Sequence, residues 1–521
     1  MAARIIVGSS YVIGARNPER LDLKPAKCHP QYDWLFSKWK RMRDAVEGED
    51  AVKGRNEDYL PRRTGMDHAE YTAYLSRAVW FNATQKTVND LFVSVFRRAP
   101  FVTLPKRMQG KMEDARNFII AEDGTTILDL SKALVRELLT VSRRALLLDM
   151  DPTGQTKHIA EYSAESIVNW KVVRKKLVAV RLLEPKPSAD FYTDVTQVTE
   201  RRVRILALDS NGDYFQAVGT KEDDYSGDPN LIPQNERTYV LVRGQKLKYI
   251  PIVIFNAAGN GAAAHRPMLE DVANMNFAHY RSYAMLENAR HVTATPIYFV
   301  KGRGMANEFA DGKEGQSATQ NFTMTPQSIW LLEADDEVGI VEYEGKGLQS
   351  LEEGMEVKEA QMLSLGARLL SQRKNSAARS EKSEEDQANS EEATLMDVVE
   401  NASQGLTQLF KWWAEWELDN PEEVEIVLNR IFYRPKVTAR EMRSLQSLFE
   451  AGLLPLRPLY ESLKAGGFIP EDLEFATFEK AYKEWKAEQE AKEAAEAARK
   501  TKEAAARANP SSNAPPPRPA V

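Results

Sequence analysis

Apolar residues recur at helical spacing through the first hundred positions. Trp34, Leu35, Trp39, Met42 and Val46 form one stripe, and Gly48 stands where that helix should stop. A second helix is expected over 71–96, where Ala78, Phe81, Gln85, Val88, Leu91, Phe92 and Val95 supply a mostly apolar face that Pro100 closes. A third is expected over 128–141. The period then falls to two. Residues 145–148 read as a buried strand, and Val168, Trp170 and Val172 alternate with polar residues. Val178, Val180 and Leu182 follow the basic turn at 174–176. Val203, Ile205 and Ala207 lead into Asn211-Gly212, the strongest hairpin signal in the chain. Further strands at 239–242 and 246–255 complete a β-rich region of about five to seven strands, expected as a separate layer.

Helical spacing returns at 268–290, after a loop over 259–265. Residues 293–345 are irregular, with strand-like pieces at 297–300 and 329–332. Two helices follow, over 349–370, with Leu351, Met355, Met362, Leu365 and Leu369 on one side, and over 383–418. The polar stretch 371–382 lies between them and carries no apolar stripe. A strand at 426–432 and two prolines, Pro421 and Pro435, interrupt the helices. Thr438, with Glu441 three residues on, then reads as an N-cap. The final helix, 471–508, can pack through Phe475, Phe478, Tyr482 and Trp485. Beyond them alanine alternates with charge, which fits either a solvated helix or a partner-binding arm. Residues 509–521, with Pro515 to Pro517, read as a disordered or polyproline tail. There is no internal repeat of ~20–50 residues. The fold class is α+β, mainly α.

At 521 residues, the chain is too long for one ordinary core. A hydrophobic share of 43% and a charged share of 28% are those of a globular protein. A single cysteine, Cys28, excludes a disulfide framework and fits a reducing compartment. No apolar run reaches the ~18 residues of a membrane helix. Residues 1–16 have arginines and no acids, as in a transit-type leader or an ordinary N-terminal arm. The formal charge of -6 argues against a tight nonspecific nucleic-acid binder.

Compact catalytic motifs are missing. Gly312-Lys313 is followed by Glu314, which would repel a phosphate, and no P-loop occurs. Gly259-x-Gly261 lacks the third glycine of a dinucleotide fingerprint and reads as a plain loop. The six histidines never fall at zinc-ligand spacing. Asp209-x-Asn211-x-Asp213 is either an incomplete calcium loop or a hairpin turn. Asp149-x-Asp151 is either a cation-holding pair or a solvated turn before Pro152. No nucleophile elbow appears. These absences point away from an enzyme and from any cofactor or metal. The basic stretch Arg373-Lys374-Asn375-Ser376-Ala377-Ala378-Arg379 is then the main candidate for chemistry. It is either a solvated loop or a loop whose cations touch the phosphates of a polyanion.

The order of these parts, together with short pieces spread over about 28–420, resembles the tailed-bacteriophage portal proteins, in a branch long catalogued only as phage proteins of unknown function. The pieces are His29-Pro30, Arg43-Asp44, Gly48, Val52-Lys53, Tyr59-Leu60-Pro61, Arg77-Ala78, Thr84, Thr87-Val88, Phe96-Arg97, Ile250-Pro251, Ala278-His279-Tyr280, Thr295-Pro296 and Gly366-Ala367-Arg368. The resemblance implies a ring, usually of about twelve subunits, joined by head-to-tail interfaces that close. On this chain it implies a wing over 1–262, helical to about 142 and β-rich over 145–260. Stem helices would follow at 265–292 and 349–371, with a clip at 293–348. A tunnel loop would span 371–382, a long helix with the wing's return strand 383–435, a helical crown 436–508 and a tail 509–521. Many portals carry Glu-Thr-Ala near the start of the long helix, where this chain reads Ala378-Arg379-Ser380-Glu381-Lys382, so the loop boundary departs from the pattern.

The resemblance further implies a conduit for double-stranded DNA at one capsid vertex, in a virion assembled in the host cytoplasm. Its partners would be the packaging terminase, a tail adaptor, and capsid and scaffolding proteins, with no membrane. Arg373, Lys374 and Arg379 are the expected DNA-channel contacts, with Arg368 and Lys382 beside them. Asp335, Asp336, Glu337, Glu342 and Glu344 in the clip are expected to meet basic partner surfaces or simply to be solvated. Trp412, Trp413 and Trp416 form either a subunit contact or part of the subunit's own core. Two other readings stay open: an oligomeric virion connector or scaffold without a DNA channel, and an enzyme of unrecognised type.

Overall fold

A computed structural model describes residues 27–110, 113–121, 123–150, 156–185, 201–221, 224–225, 228–293, 297–301, 337–341, 346–367, 381–418, 423–430, 432, 439–465, 469, 473 and 475–508. The chain divides into two compact units, 1–432 and 433–521.

In the first unit, α1 (Pro30–Glu47) begins where His29 accepts a hydrogen bond from the Gln31 amide through Nδ1 at 3.2 Å, with Pro30 in the first helical position. Its buried face carries Tyr32, Leu35, Phe36, Trp39, Met42 and Ala45. Trp34, expected on that face, points to solvent with the Lys38 ammonium over its ring at 4.3 Å. Gly48 ends the helix at φ 113°, a conformation that glycine adopts without steric cost, and α2 (Glu49–Gly54) follows.

The helix expected over 71–96 is two helices, α3 (His68–Arg77) and α4 (Ala83–Phe96). An Asp67/Glu70 capping box starts the first, and Ala78 leaves it in an extended conformation. The break is held by Asn276, almost two hundred residues away. Its buried amide donates to the Phe81 carbonyl at 2.7 Å and accepts from the Thr84 amide at 3.1 Å and the Thr84 hydroxyl at 3.0 Å. Backbone groups that an unbroken helix would have paired find their partners there instead.

Next come β1 (Phe101–Thr103), α5 (Lys106–Gln109) and α6 (Ile127–Val141), the last opened by a Thr126/Asp129 capping box. The β-rich region contains β2 (Arg143–Met150), β3 (Lys157–Ser163), β4 (Ile167–Val173), β5 (Lys176–Pro185), β6 (Arg201–Leu208), β7 (Tyr214–Val218), β8 (Thr238–Tyr239), β9 (Leu241–Val242), β10 (Gln245–Lys246) and β11 (Ile252–Asn256). These pair antiparallel as β11-β2-β3, β4-β5-β6-β7-β8 and β9-β10. The hairpin forms at Asn211-Gly212, where Asp209 accepts from the amides of Asn211 and Asp213 at 2.8 and 2.9 Å. Asp213 pairs with Lys246 and Lys248, so the calcium-loop alternative falls to the turn. The strand expected over 246–255 is interrupted before Pro251, which has no amide to donate.

The sheets do not form a layer apart. Further on are α7 (Glu270–Thr293), β12 (Ile297–Lys301), β13 (Glu337–Val341), α8 (Lys346–Ala367), α9 (Glu381–Glu417) and β14 (Glu425–Val427), which pairs antiparallel with β1. From Leu395 onward α9 lies on β11, β2 and α6, burying Val398, Val399, Ala402, Leu406, Leu409 and Phe410 in one continuous core. Contact is closest at Gly405, where a Cβ would stand 2.2 Å from a Phe255 ring carbon. Ser403 and Thr407 accept the amides of Leu428 and Ile426, each at 3.0 Å, which binds β14 to the same helix.

The second unit contains α10 (Ala439–Glu450), α11 (Leu456–Ala465) and α12 (Phe475–Ala508). Tyr460 packs on Phe475 and Phe478, and Phe449 meets Tyr482 edge-on. Trp485, expected to pack, is 55% exposed. Beyond it α12 is exposed and laced by Glu–Lys pairs four residues apart, such as Glu488–Lys492 at 2.7 Å.

The approach at Gly405 gives a paired expectation. Gly405→Ala should lower the denaturation midpoint of the first unit by an overpacking cost of ~1–3 kcal/mol. Gly354→Ala, on α8 with only the Lys358 ammonium nearby, should be neutral or stabilising by up to ~1 kcal/mol.

Candidate functional site

Thirteen residues, 368–380, separate α8 from α9, and with the first turn of α9 they hold every basic residue expected to meet DNA. How the flanking helices are held decides what this stretch can do. α7 and α8 pack antiparallel: His279 meets Glu359 at 3.1 Å, while Arg290, a few turns later, meets Glu352, earlier in α8, at 2.6 Å. Met355 and Met362 are buried on the inner face of α8. Arg77 ties α3 to α7 through Asn288 at 2.9 Å. The C-terminal end of α8 rests on α4, where a Cβ on Gly366 would lie 3.0 Å from the Thr87 hydroxyl. On the far side the stretch leads into α9, which packs on the β11-β2-β3 sheet from Leu395 onward.

Arg368, Arg373, Lys374 and Arg379 lie outside the described residues. Lys382 belongs to the first turn of α9, of which only the backbone is described. Asp335, Asp336, Glu342 and Glu344 are also outside the described residues, as is the strand expected at 329–332. Glu337 is on β13, in register with Lys301 of β12. Trp412, Trp413 and Trp416 are packed within their own chain. Trp412 stacks on Tyr249 at 5.0 Å, Trp416 donates to the Tyr249 hydroxyl at 3.1 Å, and Trp413 lies edge-on to Phe118 at 5.5 Å. With Trp413 and Trp416 only 5% and 6% exposed, the core alternative describes these two, and they offer no surface to a neighbour.

Several residues that carry the family resemblance meet in space as framework. Arg43 bridges Glu137 of α6 and Glu165, the latter at 2.7 Å. Asp44 is buried between Arg55, at 3.0 Å, and the Tyr59 hydroxyl. The Leu60 carbonyl accepts from Tyr71 at 3.0 Å, and Thr84, Thr87, His279 and Gly366 make the contacts already described. None of these partners is near in sequence except Arg55 and Tyr71, so spacing alone gave no sign of them.

A buried cluster of ionisable groups also belongs to the framework. Arg204 is buried between Asp149 of β2 and Glu184 of β5, the latter at 3.2 Å, and Glu184 also accepts from Tyr162 at 2.6 Å. Burial opposes the charge on Asp149, but the Arg204 guanidinium and the Gln216 amide outweigh it and hold the carboxyl below the usual range. Burial likewise opposes the charge on Glu184, and Arg204 leads the groups that lower it. Asp149 is thus neither a cation site nor a solvated turn. It is half of an ion pair that joins the two larger sheets. Among the described residues no group of three or more His, Cys, Asp or Glu could hold a metal, and no described helix is long and apolar enough to cross a membrane.

A family model, that of a domain of unknown function (DUF4055), matches residues 267–417, less than half of the chain. It begins three residues before α7 and ends on the last residue of α9, so the matched segment spans the helix, insert, helix, basic stretch and long helix in series. No curated protein matches. Among solved structures, a chain of the virion of a native gene transfer agent particle is 12% identical, covering 82% of this chain and 99% of that chain, with a TM-score of 0.37. A chain from the neck of the empty particle, computed with C6 symmetry, is 11% identical over 75% of this chain and 91% of that one, with a TM-score of 0.36. One from the neck of the native particle, computed with C12 symmetry, is 11% identical over 81% and 99%, with a TM-score of 0.34. Superpositions this loose do not establish a shared fold.

Because Asp149 and Glu184 have lowered folded-state pKa values, the stability they contribute is full above their unfolded values of ~4 and is lost as pH falls through the folded ones. Urea midpoints should therefore drop steeply below about pH 4, and Asp149→Asn should flatten that slope. Arg204→Ala, which strands two buried carboxylates, should cost ~3–5 kcal/mol at neutral pH.

Proposed function

We propose that this chain is the subunit of a portal ring, a passive conduit for double-stranded DNA at one vertex of a phage-type capsid during genome packaging and ejection. The observation that carries the reading is the unit from α7 to α9. Two antiparallel helices are interrupted by a long insert, and a basic stretch follows between α8, whose end rests on α4, and α9, which packs on the sheet from Leu395 onward. A stretch that joins two helices rooted in the body can project toward an axis without the subunit unfolding. In a ring, each of its cations is repeated once per subunit, about twelve times in a dodecamer.

In this reading residues 27–262 and β14 are the wing, α7 and α8 the stem, and the insert between them the clip. Residues 371–382, the last two of them on α9, form the tunnel loop, and α10 to α12 the crown. Arg373, Lys374 and Arg379 face the duplex, with Arg368 and Lys382 flanking them. The overall negative charge suits the task, because DNA must slide. Each neutralised phosphate adds a salt-dependent term with a log-log slope of about -0.9, and a wholly basic channel would hold the duplex in place. The chain is not an enzyme in this reading. ATP hydrolysis belongs to the terminase docked on the clip, where the acids from Asp335 to Glu344 meet its basic surface, and a tail adaptor takes the same place later. Capsid and scaffolding proteins contact the wing.

Replacing Arg373, Lys374 and Arg379 together by alanine tests this. Rings should still assemble, while DNA-filled heads in a packaging assay should fall roughly tenfold or more, and duplex binding by isolated rings should lose part of its salt dependence. Unchanged packaging with intact rings would remove the tunnel-loop assignment.

A further inference from the structure

Two surfaces of the first unit are exposed, partly apolar and opposite in charge. The first is the hairpin between β4 and β5. Lys171, Val172, Val173, Arg174, Lys175 and Lys176 are all exposed, and no acid interrupts the run. Val172 and Val173 are 47% and 46% exposed, and as neighbours on a strand they flank the tip on either side. Arg174 and Lys175 form the two-residue turn, with φ of 50° and 64°. That left-handed conformation favours Asn-Gly, so two cations occupy the tip against the preference of the backbone. Lys176 donates to the Lys248 carbonyl at 2.9 Å, which ties the hairpin to the segment before β11. Asp228 lies within electrostatic reach of Lys171.

The second surface is the outer face of α8. Glu353, Glu356, Val357, Ala360 and Leu363 fall on one side of the helix at three- and four-residue spacings, and all are exposed. Val357 is 55% and Leu363 68% exposed. Met355 and Met362 are buried on the other side, and Glu352 and Glu359, between the two faces, meet Arg290 and His279. Between residues 349 and 364 the one cation of α8 is Lys358, half-buried with its ammonium on the Gly354 carbonyl at 3.3 Å. The outer face therefore presents acids and apolar groups together.

Exposed apolar groups rimmed by charge mark protein contacts. Each surface repels a copy of itself and complements the other, so charge disfavours a two-fold contact of either with its own kind. A contact between two different patches is heterologous, and repeated from copy to copy it builds a ring or an open filament. We propose that the β4–β5 hairpin of one copy docks on the outer face of α8 in the next, with Arg174 and Lys175 against Glu353 and Glu356, and Val172 and Val173 against Val357 and Leu363. Charge sets the register of such a contact, and the apolar groups are buried within it. The inference rests on the ring reading for the closure of the assembly, and it adds the two surfaces through which neighbours meet.

Charge reversal in the full chain, read by its mass in solution, tests it. Arg174→Glu with Lys175→Glu makes both surfaces acidic, and Glu353→Lys with Glu356→Lys makes both basic. Either pair alone should raise the concentration for half-assembly at least about tenfold. Mixed in equal amounts, the two variant chains should assemble as the unsubstituted chain does, since each offers the surface that the other lacks. That recovery would also show that both variants fold. Arg174→Asn with Lys175→Gly, residues that the turn prefers, should leave the denaturation midpoint equal or higher and still weaken assembly. Variants that assemble normally on their own, or a mixture that stays apart while the unsubstituted chain assembles, would overturn the inference and leave the ring reading standing. An unsubstituted chain that stays monomeric at every concentration, with scaffolding protein present, would remove both.

Discussion

The packing of α9 on the β11-β2-β3 sheet is the constraint on which the rest of the first unit depends. Gly405 lets the helix backbone approach Phe255, closer than any side chain would permit. That approach brings residues 395–417 back to the body from which α7 departs. α8 returns to the body along α7 and rests on α4 at its end, and the α9 packing brings the chain back a second time after the basic stretch. With it, everything between α7 and the middle of α9 is one excursion, closed at its base by α4, α6 and the sheet. Closing a long excursion costs little more than closing a short one, since the entropy grows only with the logarithm of its length. A large insert is therefore compatible with a firm base.

The base itself is held by polar contacts between distant segments. Asn276 of α7 completes the broken turn between α3 and α4, Arg43 links α1 to α6, and Arg204 joins β2 to β5. Buried ion pairs of this kind add little net stability over apolar packing, but removing one partner is costly, so they hold segments in one arrangement.

Much of this was legible in the sequence because helices and turns are local. The stripes at 128–141, 268–290, 349–370 and 383–418 give α6, α7, α8 and α9 to within a few residues, and Gly48 and Asn211-Gly212 mark a helix end and a hairpin. The failures share a cause. The 71–96 stripe looks continuous because its interruption is satisfied by Asn276, far along the chain. Trp34 looks like core because one face of a helix cannot reveal where the neighbouring helices stop. The β-rich region looks separate because the helix that covers it, α9, follows more than a hundred residues later. For the candidate site, charge was legible and position was not. Arg373, Lys374 and Arg379 stand out by composition, but that α8 ends against α4 and that α9 packs on the sheet follow only from Thr87 against Gly366 and Phe255 against Gly405. The tryptophans show the converse, since two of the three, Trp413 and Trp416, are buried in the chain's own core and Trp412 is half-buried beside it.

The most direct test of the portal reading is negative-stain electron microscopy of the purified protein, joined to its mass in solution. Closed rings of about twelve subunits are expected, with a central hole wide enough for a DNA duplex, ~20 Å or more across. Closed rings without such a hole, or a stable monomer or dimer that persists over a wide concentration range and in the presence of scaffolding protein, would contradict it.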